Sequence, residues 1–319
     1  MPGINAMRSH VPPDRGTVER MQGTRGAAPL PAVLAAFAVI YLVWGTTYLA
    51  TRLVVEVFPP LLARAACCLL AGAILLVAAR GRGAPAPRAA EWMAAALTGS
   101  LLFVGCHGLI SVAQRHVASG LAALMIATVP LWIPLLAWMA PGGRRPGRVV
   151  LSSAALGLSG VAVLVGGAGA LGGMSPAWGA ALLLCALCWA AGTVLSRHLP
   201  RPPSPWLGAG MGLLTGGAVL ALCGVAIGEA AVPWPEAVPP VVWGALAYLG
   251  FGSYLLAFGC YVWLLDKRPA ERVATYAYVN PLVAVLVGWL LAGEPLTAGM
   301  GVAAALILGA VAVAVSRPA

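Results

Sequence analysis

Few side chains in this sequence can do chemistry, because 61% of the residues are apolar and only 9% are charged. Arg64, His107, Gln114 and Asn280 stand inside apolar runs, where a polar group is costly unless it faces a cavity or a partner. Arg64, near the start of its run, has two readings. It snorkels outward toward Arg52 and Glu56, or it gives half of a solute cavity a positive field suited to anions and carboxylates. His107 also has two: a neutral, hydrogen-bonded core histidine, or a group titrating near neutral pH. Gln114 and Asn280 each donate and accept, which suits zwitterionic or neutral polar solutes. Glu56, Asp266, Glu271 and Glu294 all fall near the ends of runs, so no carboxylate relay for protons is visible at mid-depth.

Aromatic residues accompany these groups. Trp44, Tyr48, Trp132, Trp189, Tyr254, Tyr261, Tyr276 and Tyr278 are too central in their runs for interfacial belts alone. Trp92, Trp178, Trp206, Trp234 and Trp243 fit the belt reading instead. The cavity candidates are therefore Trp44, Thr47, Tyr48, Arg64, His107, Gln114, Trp132, Trp189, Tyr254, Tyr276, Tyr278 and Asn280. Pro130 and Pro281 join them as helix breaks, since proline removes a backbone bond that only packed neighbours or water can replace at membrane depth.

Several formal motifs read blandly. Gly167, Gly169 and Gly172 spell GxGxxG, but no strand precedes them and no acid follows at the spacing a dinucleotide site needs. Gly157-Leu158-Ser159-Gly160 matches the GxSG of intramembrane serine proteases, for which His107 is the sole candidate base at depth; small residues for close helix packing is the simpler account. Cys185 and Cys188 form a CxxC without a second pair, so no metal or cofactor is expected, and the 7 cysteines read as small apolar fillers. Gly208, Gly212 and Gly216 form a repeated GxxxG that favours a neighbouring helix over a second subunit, with a homodimer left open.

The elements that must position these residues are membrane-spanning helices, because many runs exceed the roughly 18 apolar residues that mark one. Spans are expected at roughly 31–52, 59–79, 91–113, 117–139, 149–168, 177–196, 206–228, 240–265, 270–291 and 297–315. That is an all-α membrane protein of ten helices, five per half, in repeats at 30–168 and 177–316, after a disordered cytosolic tail at 1–29. No short apolar core with a cleavage-like site precedes Pro31, so no removable signal peptide is expected.

Charge sets the orientation. With the amino terminus inside, the basic residues crowd the cytosolic side, while Arg52 and Arg115 alone fall outside. The net charge of +10 thus belongs to cytosolic loops and not to a nucleic-acid surface. One constant shift lays Pro130 on Pro281, Leu131 on Leu282, Trp138 on Trp289 and Ala123 on Ala274. Trp44 and Arg52 have the same spacing as Trp189 and Arg197. Five helices per unit force the second copy to be inverted, an architecture common among secondary transporters.

The segments YLVWGTTYLATRLVVEVFPP (41–60), AQRHVASGLAALMIATVPL (113–131), LGLSGVAVLVG (156–166), CWAAGTV (188–194) and ATYAYVNPLVAVLVGWLLAGEPLT (274–297) together resemble the EamA-domain proteins of the drug/metabolite transporter superfamily. The resemblance implies two inverted EamA repeats, export of small metabolites across the bacterial inner membrane, and a central cavity among helices 1, 3, 4, 6, 8 and 9. The sequence departs from the family in three places. Gln114 stands where the family often has Glu, Arg64 lies one turn before the family's frequent helix 2 arginine, and Pro141-Gly142-Gly143 replaces the first LGE, leaving only Gly293-Glu294.

The resulting expectation is an inner-membrane exporter of small amphipathic metabolites, amino-acid-like or drug-like, working by alternating access with both termini cytosolic. Its partners are the solute and the lipid bilayer. A membrane-embedded serine protease using Ser159 is the alternative, and a non-transporting scaffold the third.

Overall fold

The computed structural model describes residues 29–143, 145–166, 174–233, 235–268, 273 and 275–316, and their regular structure is entirely helical. The expected tail at 1–29 lies outside these residues apart from Pro29, as do Gly167, Gly169 and Gly172, Trp234, Glu271 and the side chains of Asp266 and Tyr278. In chain order, α1 is Leu30–Val55, α2 Pro60–Gly81 and α3 Ala89–Ala113. α4 comes in two pieces, Ser119–Ile126 and Val129–Met139; α5 is Arg148–Gly166, α6 Pro176–Leu195 and α7 Pro205–Ala226. α8 runs through Pro240–Ala247, Tyr248–Ala257 and Phe258–Lys267, followed by α9 at Tyr276–Ala292 and α10 at Ala298–Ser316.

Among the described residues, 8 helices are long and apolar enough to cross a membrane, and α9 and α10 supply two shorter apolar stretches, Val279–Ala292 and Ala298–Val313. Proline in the first turn starts α1, α2, the second piece of α4, α6, α7 and α8, where its missing N–H is not needed. Ser175 and Ser204 cap α6 and α7 by accepting from the backbone N–H groups of Trp178 and Leu207.

The helix neighbours repeat between the halves. α1 packs on α8 and α9, as α6 packs on α3 and α4, while α2 faces α7 and α5 faces α10. Glycines set the closest approaches. A Cβ on Gly72 would lie 2.8 Å from the Leu214 backbone nitrogen, and one on Gly210 would lie 2.8 Å from that of Leu76. The GxxxG of α7 works inside the chain, since a Cβ on Gly216 would meet the Gly99 carbonyl of α3 at 2.7 Å.

The structure differs from the sequence expectation in three respects. α4 does break beside Pro130, between Ile126 and Val129, but α9 runs unbroken through Pro281. The aligned prolines therefore do different things: Pro130 opens a new helix piece, whereas Pro281 sits inside the continuous stretch Tyr276–Ala292. Third, Ser100–Gly108 in α3 and Tyr248–Ala257 in α8 are π-helical, which apolar periodicity does not reveal. Both carry glycines, Gly105 and Gly108 in one, Gly250 and Gly252 in the other, which lower the resistance of the backbone to leaving α geometry.

Candidate functional site

A cavity of about 110 Å³ lies where the two halves meet. From the first half, Trp44, Thr47, Tyr48 and Thr51 of α1, Arg64 of α2, Phe103, Cys106, His107 and Ile110 of α3, and the α4 break from Ala123 to Pro130 line it. The second half contributes Trp189 of α6, Ser253, Tyr254 and Phe258 of α8, and Tyr276, Ala277, Asn280 and Pro281 of α9. The shift that aligns the two copies pairs lining residues with lining residues: Ile126 with Ala277, Val129 with Asn280, Pro130 with Pro281 and Phe103 with Tyr254. Phe103 and Tyr254 touch edge to face at 5.9 Å.

The π stretches of α3 and α8 aim the polar groups. Tyr254 and His107 project from them and meet, the imidazole Nδ1 lying 2.8 Å from the phenol oxygen. Arg64 reaches the same tyrosine, donating from Nη1 at 3.3 Å. Its Nε donates to Ser111 Oγ at 3.0 Å and its Nη2 to Thr51 Oγ1 at 2.8 Å. Arg64 is 5% exposed, so the snorkelling reading gives way to a buried cation.

Rings complete the walls. Trp189 stacks on His107 at 5.4 Å, and Trp44 packs against Tyr276 at 5.1 Å and Tyr261 at 5.2 Å. Trp44 is fixed by donating from Nε1 to the Ser253 carbonyl at 3.3 Å. Asn280, with its amide nitrogen turned to the Tyr276 and Tyr41 carbonyls at 3.2 Å each, ties α9 to α1 beside the cavity.

A largely apolar cavity with a few convergent polar groups, between two helical halves, is where a membrane protein holds a solute. The EamA-like transporter family model matches residues 30–166 and 177–316. This chain belongs to that family. It is 36% identical over 270 residues to the uncharacterized inner membrane transporter YedA of Escherichia coli K12, covering 84% of this chain and 85% of that one. The uncharacterized transporter YvbV of Bacillus subtilis is 27% identical over 276 residues, spanning 83% and 85% of the two chains. A solved crystal structure superposes with a TM-score of 0.60 at 25% identity, over 90% of this chain and 97% of that one. The protein is a multi-pass membrane transporter of the EamA type.

Most of the residues expected at the EamA cavity are brought together there: Trp44, Thr47, Tyr48, Arg64, His107, Trp189, Tyr254, Tyr276, Asn280, Pro130 and Pro281. Two are not. Gln114 is buried behind the wall, its Nε2 donating to the Tyr48 carbonyl at 2.8 Å. Trp132 packs with Val129, Ala186 and Ala190 and donates to Thr128 Oγ1 at 3.2 Å. The alternative protease reading loses its pair, because Ser159 is exposed on α5 and bonds the Leu156 carbonyl of its own helix, away from the cavity that His107 lines. The sequence reading missed Thr51, Ser111, Phe103, Cys106, Ser253 and Phe258. Thr51 and Ser111 carry a signal only once Arg64 is known to be buried, since a buried guanidinium needs acceptors within reach.

A second polar cluster lies at one end of the bundle. Gly293 ends α9 in the left-handed region at φ 63°, which turns Glu294 back under the first turn of α4. The Glu294 carboxylate accepts from Ser119 N at 2.8 Å, Gly120 N at 3.1 Å and Ser119 Oγ at 3.0 Å, and pairs with Arg52 of α1 at 2.6 Å. Burial alone would raise its pKa, but those donors and the Arg52 charge outweigh it and hold the carboxyl below its usual value. Gly288 leaves the room, since a Cβ there would sit 2.5 Å from Glu294 Oε2. One carboxylate thus ties α1, α4 and α9, all three of which wall the cavity.

Proposed function

We propose that this protein exports small amphipathic metabolites, amino-acid-like or drug-like, across the bacterial inner membrane by alternating access. The observation that carries the reading is the cavity at the junction of the two halves, where α4 is interrupted and α9 holds Pro281. Ten crossings, five in each of two inverted repeats at 30–168 and 177–316, with both termini cytosolic, complete the proposal. The repeated helix neighbours and the excess of arginine on one set of loops support it.

In this reading Trp44, Tyr276 and Trp189 wall the solute, and Arg64, His107 and Asn280 hold its polar end. The Arg52–Glu294–Ser119 cluster closes the outer end, and opening there requires α1 and α9 to part from α4. The test is purified protein in proteoliposomes loaded with candidate solutes chosen from a toxic-metabolite growth screen of an overexpressing strain. Saturable, protein-dependent flux is expected. Folded protein that moves none of the solutes to which it confers resistance would overturn the reading.

A further inference from the structure

The cavity holds a charge that no acidic side chain among the described residues pairs with. Arg64 is buried and fully ionised at any physiological pH. Its three hydrogen-bond partners, Ser111, Tyr254 and Thr51, are all neutral. Among the described residues no Asp or Glu lines the cavity. The nearby carboxylates are engaged elsewhere: Glu56 and Glu294 with Arg52, and Glu229 with the backbone N–H groups of Leu61 and Leu62 at the start of α2. A guanidinium carries five N–H donors, and only three are used here. An unpaired cation in a low-dielectric interior is costly, and the cost is relieved when an oxyanion binds beside it.

The rest of the cavity specifies the body that such an anion would carry. Apart from Arg64 and the His107–Tyr254 pair, its walls are aromatic rings and small apolar groups with the neutral polar side chains of Thr47, Thr51, Ser253 and Asn280, so Arg64 is the one permanent charge among the described lining residues. Its volume of about 110 Å³ is near that of an apolar protein cavity that accepts one benzene ring, about 150 Å³. An ammonium group placed here would meet Arg64 and no carboxylate. We infer that the solute is a small organic monoanion, a ring-sized apolar body with one carboxylate-type oxyanion head that docks on Arg64. This deepens the transport reading above and rests on it for the word solute, but the binding claim stands separately.

The test uses purified full-length protein and a matched series of probes: benzoate and benzenesulfonate as anions, benzamide as the neutral analogue, benzylamine as the cation. Binding is read from tryptophan fluorescence, which Trp44 and Trp189 in the wall should report, and from isothermal titration. Benzoate and benzenesulfonate are expected to bind about tenfold or more tighter than benzamide and benzylamine. Arg64→Gln should abolish that preference, and Arg64→Lys should keep part of it. Should Arg64→Gln fail to fold, the charge series on the wild type still decides. Equal or tighter binding of benzylamine or benzamide overturns the inference. So does displacement of benzoate by millimolar chloride or sulfate with equal affinity, which would make the site a structural counter-ion site. Anion-selective binding without flux in proteoliposomes overturns the transport reading and leaves this one. Flux of neutral or cationic solutes alone overturns this one and leaves transport.

Discussion

Glu294 carries more contacts than any other carboxylate described in the structure, and its behaviour with pH follows from them. In the folded protein its carboxyl is held below the usual 4.5, so the native state binds that proton less readily than the unfolded chain. The stabilisation is complete above about pH 4.5 and is lost as pH falls through the lower folded value. Thermal melting in detergent should therefore fall more steeply on acidification for the wild type than for Glu294→Gln. At neutral pH the variant should lose about 1–3 kcal/mol, since charge-assisted hydrogen bonds to a buried carboxylate are replaced by mismatched amide contacts. Gly288→Ala offers an independent check. Its Cβ would press on Glu294 Oε2 at 2.5 Å, so it should reproduce much of the loss without touching the acid. If Gly288→Ala melts like the wild type, the carboxylate is not confined as described.

At the scale of the helix, two kinds of special residue have separable effects. Glycines at helix crossings are packing devices. Gly210→Ala would drive a Cβ to 2.8 Å from the Leu76 backbone nitrogen, and backbone cannot rotate away, so a loss of about 1–3 kcal/mol in thermal stability is expected. Gly244→Ala meets nothing within 4 Å and adds helix propensity in α8, so it should be neutral or slightly stabilising. Pro281 is different. It lies inside α9, has no N–H to give the Ala277 carbonyl, and both residues line the cavity. Pro281→Ala restores that bond and stiffens α9 at the cavity wall. Flux should slow by more than melting changes, because the neighbours already accommodate the wild-type proline. Unchanged flux in folded protein would remove Pro281 from the transport cycle.

For the whole molecule the arginine distribution predicts an orientation. Cysteines introduced at Ala86 and Gly147, in a background with the 7 native cysteines replaced, should react with a membrane-impermeant maleimide only from the cytosolic side. One at Ala231, in the turn that follows α7, should react only from outside. A reversed pair would invert the proposed direction of export and place the Glu294 cluster at the cytosolic end. The packing of the two halves gives this experiment its meaning, because α1 and α6, α3 and α8, and α4 and α9 occupy matching positions about one cavity.

The sequence alone determined the membrane class, the helices and the repeat, because these depend on the length and apolarity of runs and on a constant spacing between copies. Trp44, Arg64, His107 and Asn280 were legible for a related reason: a polar or bulky group at membrane depth must be accommodated, whatever its neighbours. What those groups touch was decided only by tertiary structure. Gln114 looks in sequence like a cavity amide, yet packing turns it to the Tyr48 carbonyl; Trp132 looks like a wall and fills the space between α4 and α6. The equal prolines of the two copies stand differently: one opens a helix piece after a break, and the other lies inside an unbroken stretch. The π stretches that aim His107 and Tyr254 at each other leave no periodic mark, and the neutral groups that bond Arg64 come from α1, α3 and α8. Those partners are far apart in the chain, and only the closing of the bundle brings them to one guanidinium.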